Sequence, residues 1–226
     1  MAAFPLMLPG TSRPPKLVVF DLDHTLIACD ATILWTEFLY EKKIVTDPIW
    51  RQYDRDMVKS YAKGVLDIRD FCRKHAGAFR SIPEEKLHAL AQEFAKKKIA
   101  PLIFPDGKKW VKNALQANIP ACVLSASAAF IVKPIAKLFG LTDAMGIELA
   151  FKDGFCTGEI VGIPTFQEGK VERLSQRLAE AGIGFEDVLF FTDSRNDLPL
   201  AERAGYTVCV NPDAVLESSA RKNGWK

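Results

Sequence analysis

From residue 103 onward, short apolar runs rich in Val, Ile and Phe alternate with segments of helical period, and this rhythm narrows the possible folds more than any other feature. The runs lie at 120–124, 144–151, 188–191 and 207–210, and an earlier one at 17–22 precedes them. Helical patterns fall near 106–118, 128–139, 169–182 and 197–204. Strands separated by crossover helices pair in parallel, with right-handed connections and both faces covered. The expected fold class is therefore α/β, a Rossmann-like parallel sheet core. The stretch "ELAFKDGFCTGEI" departs from the rhythm. Lys152-Asp153-Gly154 is turn chemistry between two alternating runs, so a hairpin is expected to extend the sheet edge.

Residues 30–103 break the alternation, showing amphipathic patterns at roughly 32–43, 48–63, 67–76 and 84–99 and no convincing strand. The expected organisation is a tail at 1–16, a core of 17–29 and 104–226, and a helical cap inserted at 30–103. In an open parallel sheet, ligands bind beyond the carboxyl ends of the strands. An insert leaving the first strand at that end would cover the site as a lid.

Composition removes several function classes. With 226 residues, 48% hydrophobic, the chain can bury a substantial core. A net charge of +2 gives no polyanion-binding signal, so Lys96-Lys97-Lys98 and Lys108-Lys109 read as solvated helix faces and nucleic acid is not an expected partner. No stretch approaches the ~18 apolar residues of a membrane span. Five scattered cysteines without a C-x-x-C pair point to reduced thiols and a cytoplasmic setting. The opening "MAAFPLMLPGTSRPPK" has no basic n-region and is broken by prolines, so it reads as a loose tail. Nothing in the sequence indicates an oligomeric state.

The chemistry collects where the strands end. After the first come Asp21, Asp23 and Thr25; after "ACVL" come Ser125, Ala126 and Ser127; after "VLFF" come Thr192, Asp193, Ser194, Asn196 and Asp197. Lys170, at the start of a helix behind "PTFQEGK", could reach the same edge. Carboxylates, hydroxyls, an amide and one lysine describe a site for a hard cation and a phosphate. Mg²⁺ takes one or two carboxylates, water and substrate oxygens. Hydroxyls, lysine and backbone N–H groups hold the phosphoryl oxygens. Asp21 can then attack phosphorus. Asp23, pointing the other way along the extended chain, can protonate the leaving oxygen and later activate water. D-x-D-x-T alone arises by chance in roughly 3% of chains this long; four such elements in order are a different matter.

"FDLDHTL", "LSAS", "GKVERL" and "FFTDSRNDLPL" together resemble the four motifs of the haloacid dehalogenase superfamily of phosphohydrolases, over about residues 17–226. The branch is the one that includes phosphoserine phosphatase and carries a helical cap after the first strand. The resemblance implies Asp21 as nucleophile and Asp23 as acid/base, with the Asp23 backbone carbonyl on Mg²⁺. It implies Ser125 as a phosphate holder and Lys170 as the charge neutraliser. Asp193 becomes a metal ligand, with Asp197 as its more distant or water-mediated metal partner; Asp21 and Asp23 complete that metal set. Thr25, Ser125, Ala126, Asn196 and Asp30 form the expected substrate contacts. Two departures bear on the substrate: Ser194 and Ala126 stand where phosphoserine phosphatases usually carry glycine. Asp30 lies at the offset where that enzyme has a glutamate facing the substrate's amino group, and the segment "CDATILWTEFLYEKKIV" looks more like bacterial members similar to histidinol-phosphate phosphatases.

The expected function is Mg²⁺-dependent hydrolysis of a small, amino-bearing phosphomonoester. Phosphotransfer to a second alcohol, as mutases of the superfamily perform, is the alternative within catalysis. A receiver-like phosphoacceptor domain is the alternative outside it, although receivers lack a large helical insert and an acid/base two residues beyond the acceptor. Plain structural roles also exist for these residues: Asp21 or Asp23 could cap a turn, Asp193, Asp197 and Ser125 could cap helices, and Lys170 could be solvated. Selectivity depends on which cap side chains point down, and helical period leaves Asp30, Glu37, Arg51, Arg55 and Arg69 as options.

Overall fold

The computed structural model describes Leu8 and residues 13–226. Five strands, β1 (Leu17–Phe20), β2 (Ala121–Ala128), β3 (Ala144–Ile147), β6 (Val188–Thr192) and β7 (Tyr206–Cys209), form a parallel sheet in the order β3-β2-β1-β6-β7. The strand order reverses beside β1, which pairs with β2 on one side and β6 on the other. The crevice at such a reversal is where an open α/β sheet binds its ligand.

Strand alternation divides the interior into two apolar layers. Val18 and Phe20 of β1, Ala121 and Val123 of β2, and Leu189 and Phe191 of β6 face one layer; Leu17, Val19, Cys122, Leu124, Val188 and Phe190 face the other. This is why these runs are apolar at every position: both faces are covered by helices, so neither can be polar. The second layer is closed by Val171, Leu174 and Leu178 of α7 (Glu168–Ala181). The first extends into the inserted helices α1 (Ala31–Glu41) and α4 (Glu84–Phe94), with Trp50 of α2 (Ile49–Ala62) packed against it; α3 (Ile68–His75) completes the insert. Trp35 of α1 meets Phe94 of α4 at 5.4 Å and Phe130 of α6 (Ala129–Lys137) at 5.6 Å, edge to face. Each such buried aromatic contributes roughly 2–3 kcal/mol of transfer free energy, so α1 and α4 are anchored to the sheet layer. The helices α5 (Pro105–Gln116), α8 (Leu198–Ala201) and α9 (Ala214–Asn223) complete the fold.

Two expectations need correction. The run 144–151 is two strands, because the chain turns out of the sheet after β3 and resumes as β4 (Leu149–Lys152). With β5 (Phe155–Ile160), β4 makes the expected hairpin around Asp153 (φ 52°) and Gly154 (φ 78°), but this is a separate two-stranded sheet. It packs on the cap instead of the sheet edge. A Cβ on Gly158 would stand 2.7 Å from Ala76 Cβ and 2.9 Å from the Cys72 carbonyl, so hairpin and α3 meet at backbone distance. Of the tail, residues 1–7 and 9–12 lie outside the described residues, whereas Leu8 is not loose: it is 2% exposed in the first apolar layer. The five cysteines are all free, and no described helix is long and apolar enough to cross a membrane.

The start of α7 is pinned by another close approach. A Cβ on Gly169 would fall 1.9 Å from the Pro164 carbonyl oxygen. Gly169→Ala must push the first turn of α7 off the loop before it, and is expected to cost about 1–3 kcal/mol as overpacking does, read as a lowered Tm in thermal denaturation. An unchanged Tm would show that this turn moves freely.

Candidate active site

β1 ends at Phe20, and the Asp21 N–H still donates to the Phe191 carbonyl at 2.9 Å, which continues the ladder to β6 for one residue. The Leu22 carbonyl then accepts from Thr25, Leu26 and Ile27 N–H groups, so the chain coils into a tight turn with His24 in the left-handed region (φ 55°). Asp21 and Asp23, expected to point in opposite directions, line the same cavity. The turn that follows β1 brings the second carboxylate to the first.

Lys170 organises one end of this site. It is 1% exposed, and its ammonium lies 2.7 Å from Asp21 Oδ1 and 2.7 Å from Asp197 Oδ1. It also donates to Asp197 Oδ2 at 2.8 Å, and the Thr192 hydroxyl donates to the same oxygen at 2.7 Å. Burial alone would lower the Lys170 pKa, but Asp197 and Asp21 together raise it and hold the group protonated. Burial pushes the Asp21 carboxyl up to about 6 against the opposing pull of Lys170. Asp197, expected among the metal ligands, spends its carboxylate on Lys170 and Thr192.

The second face belongs to Asp23. Its Oδ1 accepts the Ala31 N–H at 2.6 Å; its Oδ2 accepts the Ser127 hydroxyl at 2.9 Å, with the Ser125 hydroxyl at 3.4 Å. Burial, then Asp30, then Asp21 raise its pKa well above the carboxylate range. Two carboxyls in different surroundings are the arrangement that separates acid from nucleophile in a carboxylate pair. Ser127 follows Ser125 by a strand spacing of two, and that spacing was the available signal for its role.

Asp193 leaves the end of β6 and lines the cavity with Asp21 and Asp23. Burial, then Asp21, then Asp197 push its carboxyl up to about 9. The Thr25 hydroxyl reaches Asp193 Oδ1 at 3.5 Å, the long limit of a hydrogen bond. Thr25 therefore faces Asp193 and does not line the cavity. Asn196 does not line it either: its amide donates to the Tyr61 carbonyl at 3.0 Å and accepts from Gln167 Nε2 at 3.1 Å, tying α2 to the core. Ala126 and Asp30 do line it. Asp30 also caps α1, accepting from the Ile33 N–H at 3.0 Å, so both roles considered for it are compatible.

The cap contributes Met57, Tyr61, Leu66, Ile68 and Phe71 to the cavity wall. Of the charged residues open as selectivity options, Asp30 lines the cavity and the other four turn elsewhere. Arg51 pairs with Glu37 at 2.7 Å on the surface, Arg55 donates to Gln52, and Arg69 reaches the Gly162 carbonyl. Tyr61 had no sequence signal, since helical period does not say which face turns down; Asp197, Asp21 and Asp193 stand near enough to add to the effect of burial in raising its pKa.

Asp21 and Asp193 line one cavity, and among the described residues Lys170 is the one ammonium paired with Asp21 and Asp197. Among the described residues no three His, Cys, Asp or Glu side chains form a ready donor cluster. Two carboxylates, a backbone carbonyl, water and ligand oxygens are nevertheless what Mg²⁺ prefers, so the donor set fits that ion.

Replacing Lys170 by Met removes one partner of two buried ion pairs and strands both carboxylates. Lys170→Met is expected to cost roughly 3–5 kcal/mol, measured by denaturant titration at neutral pH; a loss under about 1 kcal/mol would mean the pairs are solvated.

Residues 18–202 match the haloacid dehalogenase-like hydrolase family. A histidinol-phosphatase of Neisseria meningitidis serogroup C is 36% identical over 214 residues, 93% of this chain and 96% of that protein. Among solved structures, a protein of unknown function from Bordetella pertussis Tohama I superimposes with a TM-score of 0.85 at 31% identity, covering 94% of this chain and 97% of that one. A phospho-aspartyl intermediate analogue of phosphoserine phosphatase shares the fold, with a TM-score of 0.68 at 22% identity over 91% of each chain. The chain belongs to the haloacid dehalogenase-like hydrolase family, as one of its phosphatases.

Proposed function

We propose that the chain is a Mg²⁺-dependent phosphomonoester hydrolase working through an aspartyl phosphate on Asp21, and that its substrate is a small metabolite with a cationic organic end, of the histidinol-phosphate or phosphoserine kind. The observation that carries this reading is the placing of Asp21. Its Oδ1 is fixed by Lys170 at 2.7 Å, and the residue lines the cavity it shares with Asp23 and Asp193.

Asp21 Oδ2 attacks phosphorus in line, and the bond to the ester oxygen breaks as Asp23 delivers its proton to that leaving group. Water then attacks the phosphorus of the aspartyl phosphate and gives a proton to Asp23, and the bond from phosphorus to the Asp21 oxygen breaks to release orthophosphate and restore the carboxylate. Lys170 offsets the charge gathering on Asp21 and the phosphoryl oxygens; Ser127 and Ser125 hold Asp23 in place. Mg²⁺, held by Asp21, Asp193 and the Asp23 backbone carbonyl, would supply charge neutralisation of the transferring phosphoryl group. The cavity is about 50 Å³, space for a few waters. Metabolite sites run to roughly 300 Å³ or more, so the cap opens to admit substrate. The 36% identity to a histidinol-phosphatase supports the substrate class, and Asp30 in the cavity wall supplies a carboxylate for an ammonium group.

Phosphate release from a panel of phosphomonoesters with Mg²⁺ tests this reading. Asp21→Asn is expected to lose more than about 10³-fold in kcat, as removal of a nucleophile does, and chelation of the metal to abolish turnover. An Asp21→Asn protein that still turns over, with its fold intact by circular dichroism, would remove Asp21 from the chemistry.

A further inference from the structure

Two side-chain amides of the core cross to the cap at one place. Asn196, after β6, donates from Nδ2 to the Tyr61 carbonyl at 3.0 Å, and Gln167, in the turn before α7, donates from Nε2 to the Gly64 carbonyl at 3.2 Å. Both acceptors lie at the C-terminal end of α2, where helix carbonyls run out of N–H partners four residues on. The amides also hold each other. Gln167 Nε2 donates to Asn196 Oδ1 at 3.1 Å, and the Ser194 hydroxyl accepts from the Asn196 backbone N–H at 3.2 Å and from its Nδ2 at 3.3 Å. A glycine in place of Ser194 would leave Asn196 without that acceptor.

Gln167 makes these bonds from a strained backbone, at φ 49° and ψ −124°. Glycine enters that region freely; a residue with a side chain stays there only when its surroundings over-determine it, and such residues collect at clamps and switches. The surroundings here are explicit. The Thr165 hydroxyl donates to the Ser125 carbonyl of β2 at 2.6 Å, and the Phe166 ring meets the Tyr61 ring of the cap at 5.8 Å. The Phe166 carbonyl accepts the Gly169 N–H at 2.9 Å, and the Gln167 carbonyl accepts the Lys170 N–H at 3.0 Å. The strained residue thus stands between the cap and the ammonium. Its side chain grips the end of α2, and its carbonyl closes the turn that carries Lys170.

We propose that Gln167 is a positioning residue that couples closure of the cap to the seating of Lys170 against Asp21, an inference that rests on the phosphatase reading above. With the cap down, both N–H groups of the Gln167 amide are paired, one to the cap and one to Asn196, and the turn is held in the form that starts α7 where Lys170 meets Asp21 and Asp197. With the cap raised, one N–H loses Gly64, the strained turn relaxes, and the ammonium loses its fixed approach. Asp21 then has its full charge support only while the cavity is closed over the substrate, so closure completes the catalytic set.

The test uses the full chain with Mg²⁺, steady-state phosphate release from histidinol phosphate and p-nitrophenyl phosphate, thermal denaturation and amide hydrogen exchange. Gln167→Gly removes the grip and the strain together. It is expected to keep a Tm near that of wild type while kcat falls roughly 10-fold and KM stays within about 3-fold, the signature of support given in the transition state. Gln167→Met keeps the strain without the donors, so it is expected to lose the same kcat with a lower Tm. In Gln167→Gly without substrate, amides of 57–66 and of 168–171 are expected to exchange faster together. An unchanged kcat, a Tm in Gln167→Gly as low as in Gln167→Met, or faster exchange that is not shared by both segments would make Gln167 a fastening of the cap alone and overturn the inference. A wild-type chain that cleaves neither ester would overturn the phosphatase reading and this inference with it; a wild-type chain that cleaves either ester, with Gln167→Gly equally active, overturns this inference alone.

Discussion

A single buried ammonium group holds the site in register. Lys170 Nζ lies 2.7 Å from Asp21 and 2.7 Å from Asp197, with almost no access to solvent. Desolvating one charge is expensive, and only close opposite charges with further hydrogen bonds compensate for it. The Thr192 hydroxyl on Asp197 provides one of those bonds. The ends of β1 and β6 and the first turn of α7 must therefore all arrive at one point, and the close contact of Gly169 with Pro164 lets α7 come near enough. The same interaction fixes one oxygen of Asp21 at the edge of the cavity, which on the proposed reading makes an ion pair the support of a nucleophile.

The rest of the site follows from where negative charge is left over. Asp193, Asp23 and Asp30 share the cavity with Asp21, and their carboxyls are raised above the ordinary range mainly by burial. Asp193 and Asp21 can relieve that rise by sharing a hard cation, which two carboxylates and ligand oxygens suit. On the proposed reading, one crowding of acids serves acid catalysis on one side of Asp21 and cation binding on the other.

The cap divides along similar lines. Its α1 and α4 belong to the apolar layer beneath the sheet through Trp35, Phe94 and Phe130, while α2 and α3 bring Met57, Tyr61 and Phe71 over the cavity. Asn196 and Gln167 reach up to the carbonyls of Tyr61 and Gly64 and hold α2 down through polar contacts at 3.0 Å and 3.2 Å. An anchored half and a half held by a few hydrogen bonds is a division suited to local opening, since elements with few apolar contacts open at the lowest free energy.

The parallel sheet was readable because strands buried on both faces must be apolar throughout, and the chemical residues were readable because such a sheet can place its site only at the strand ends. The spacing of Ser125 and Ser127 within β2 follows from strand alternation, whereas Asp23 joins Asp21 through the turn that follows β1. Period could not show that the chain leaves the sheet between Ile147 and Leu149, because alternation continues across the break, nor that the hairpin joins α3. Helical period marked the four cap helices but not which side each turns inward: the arginines left open as selectivity options pair at the surface, and Tyr61 and Asp54 turn inward in their place. Local pattern determines which elements form and which residues stand at their ends, since those depend on neighbours in sequence. Tertiary packing alone decides that Lys170 reaches both Asp21 and Asp197 and that Asn196 and Thr25 turn away from the cavity, because each depends on contacts between residues far apart in the chain.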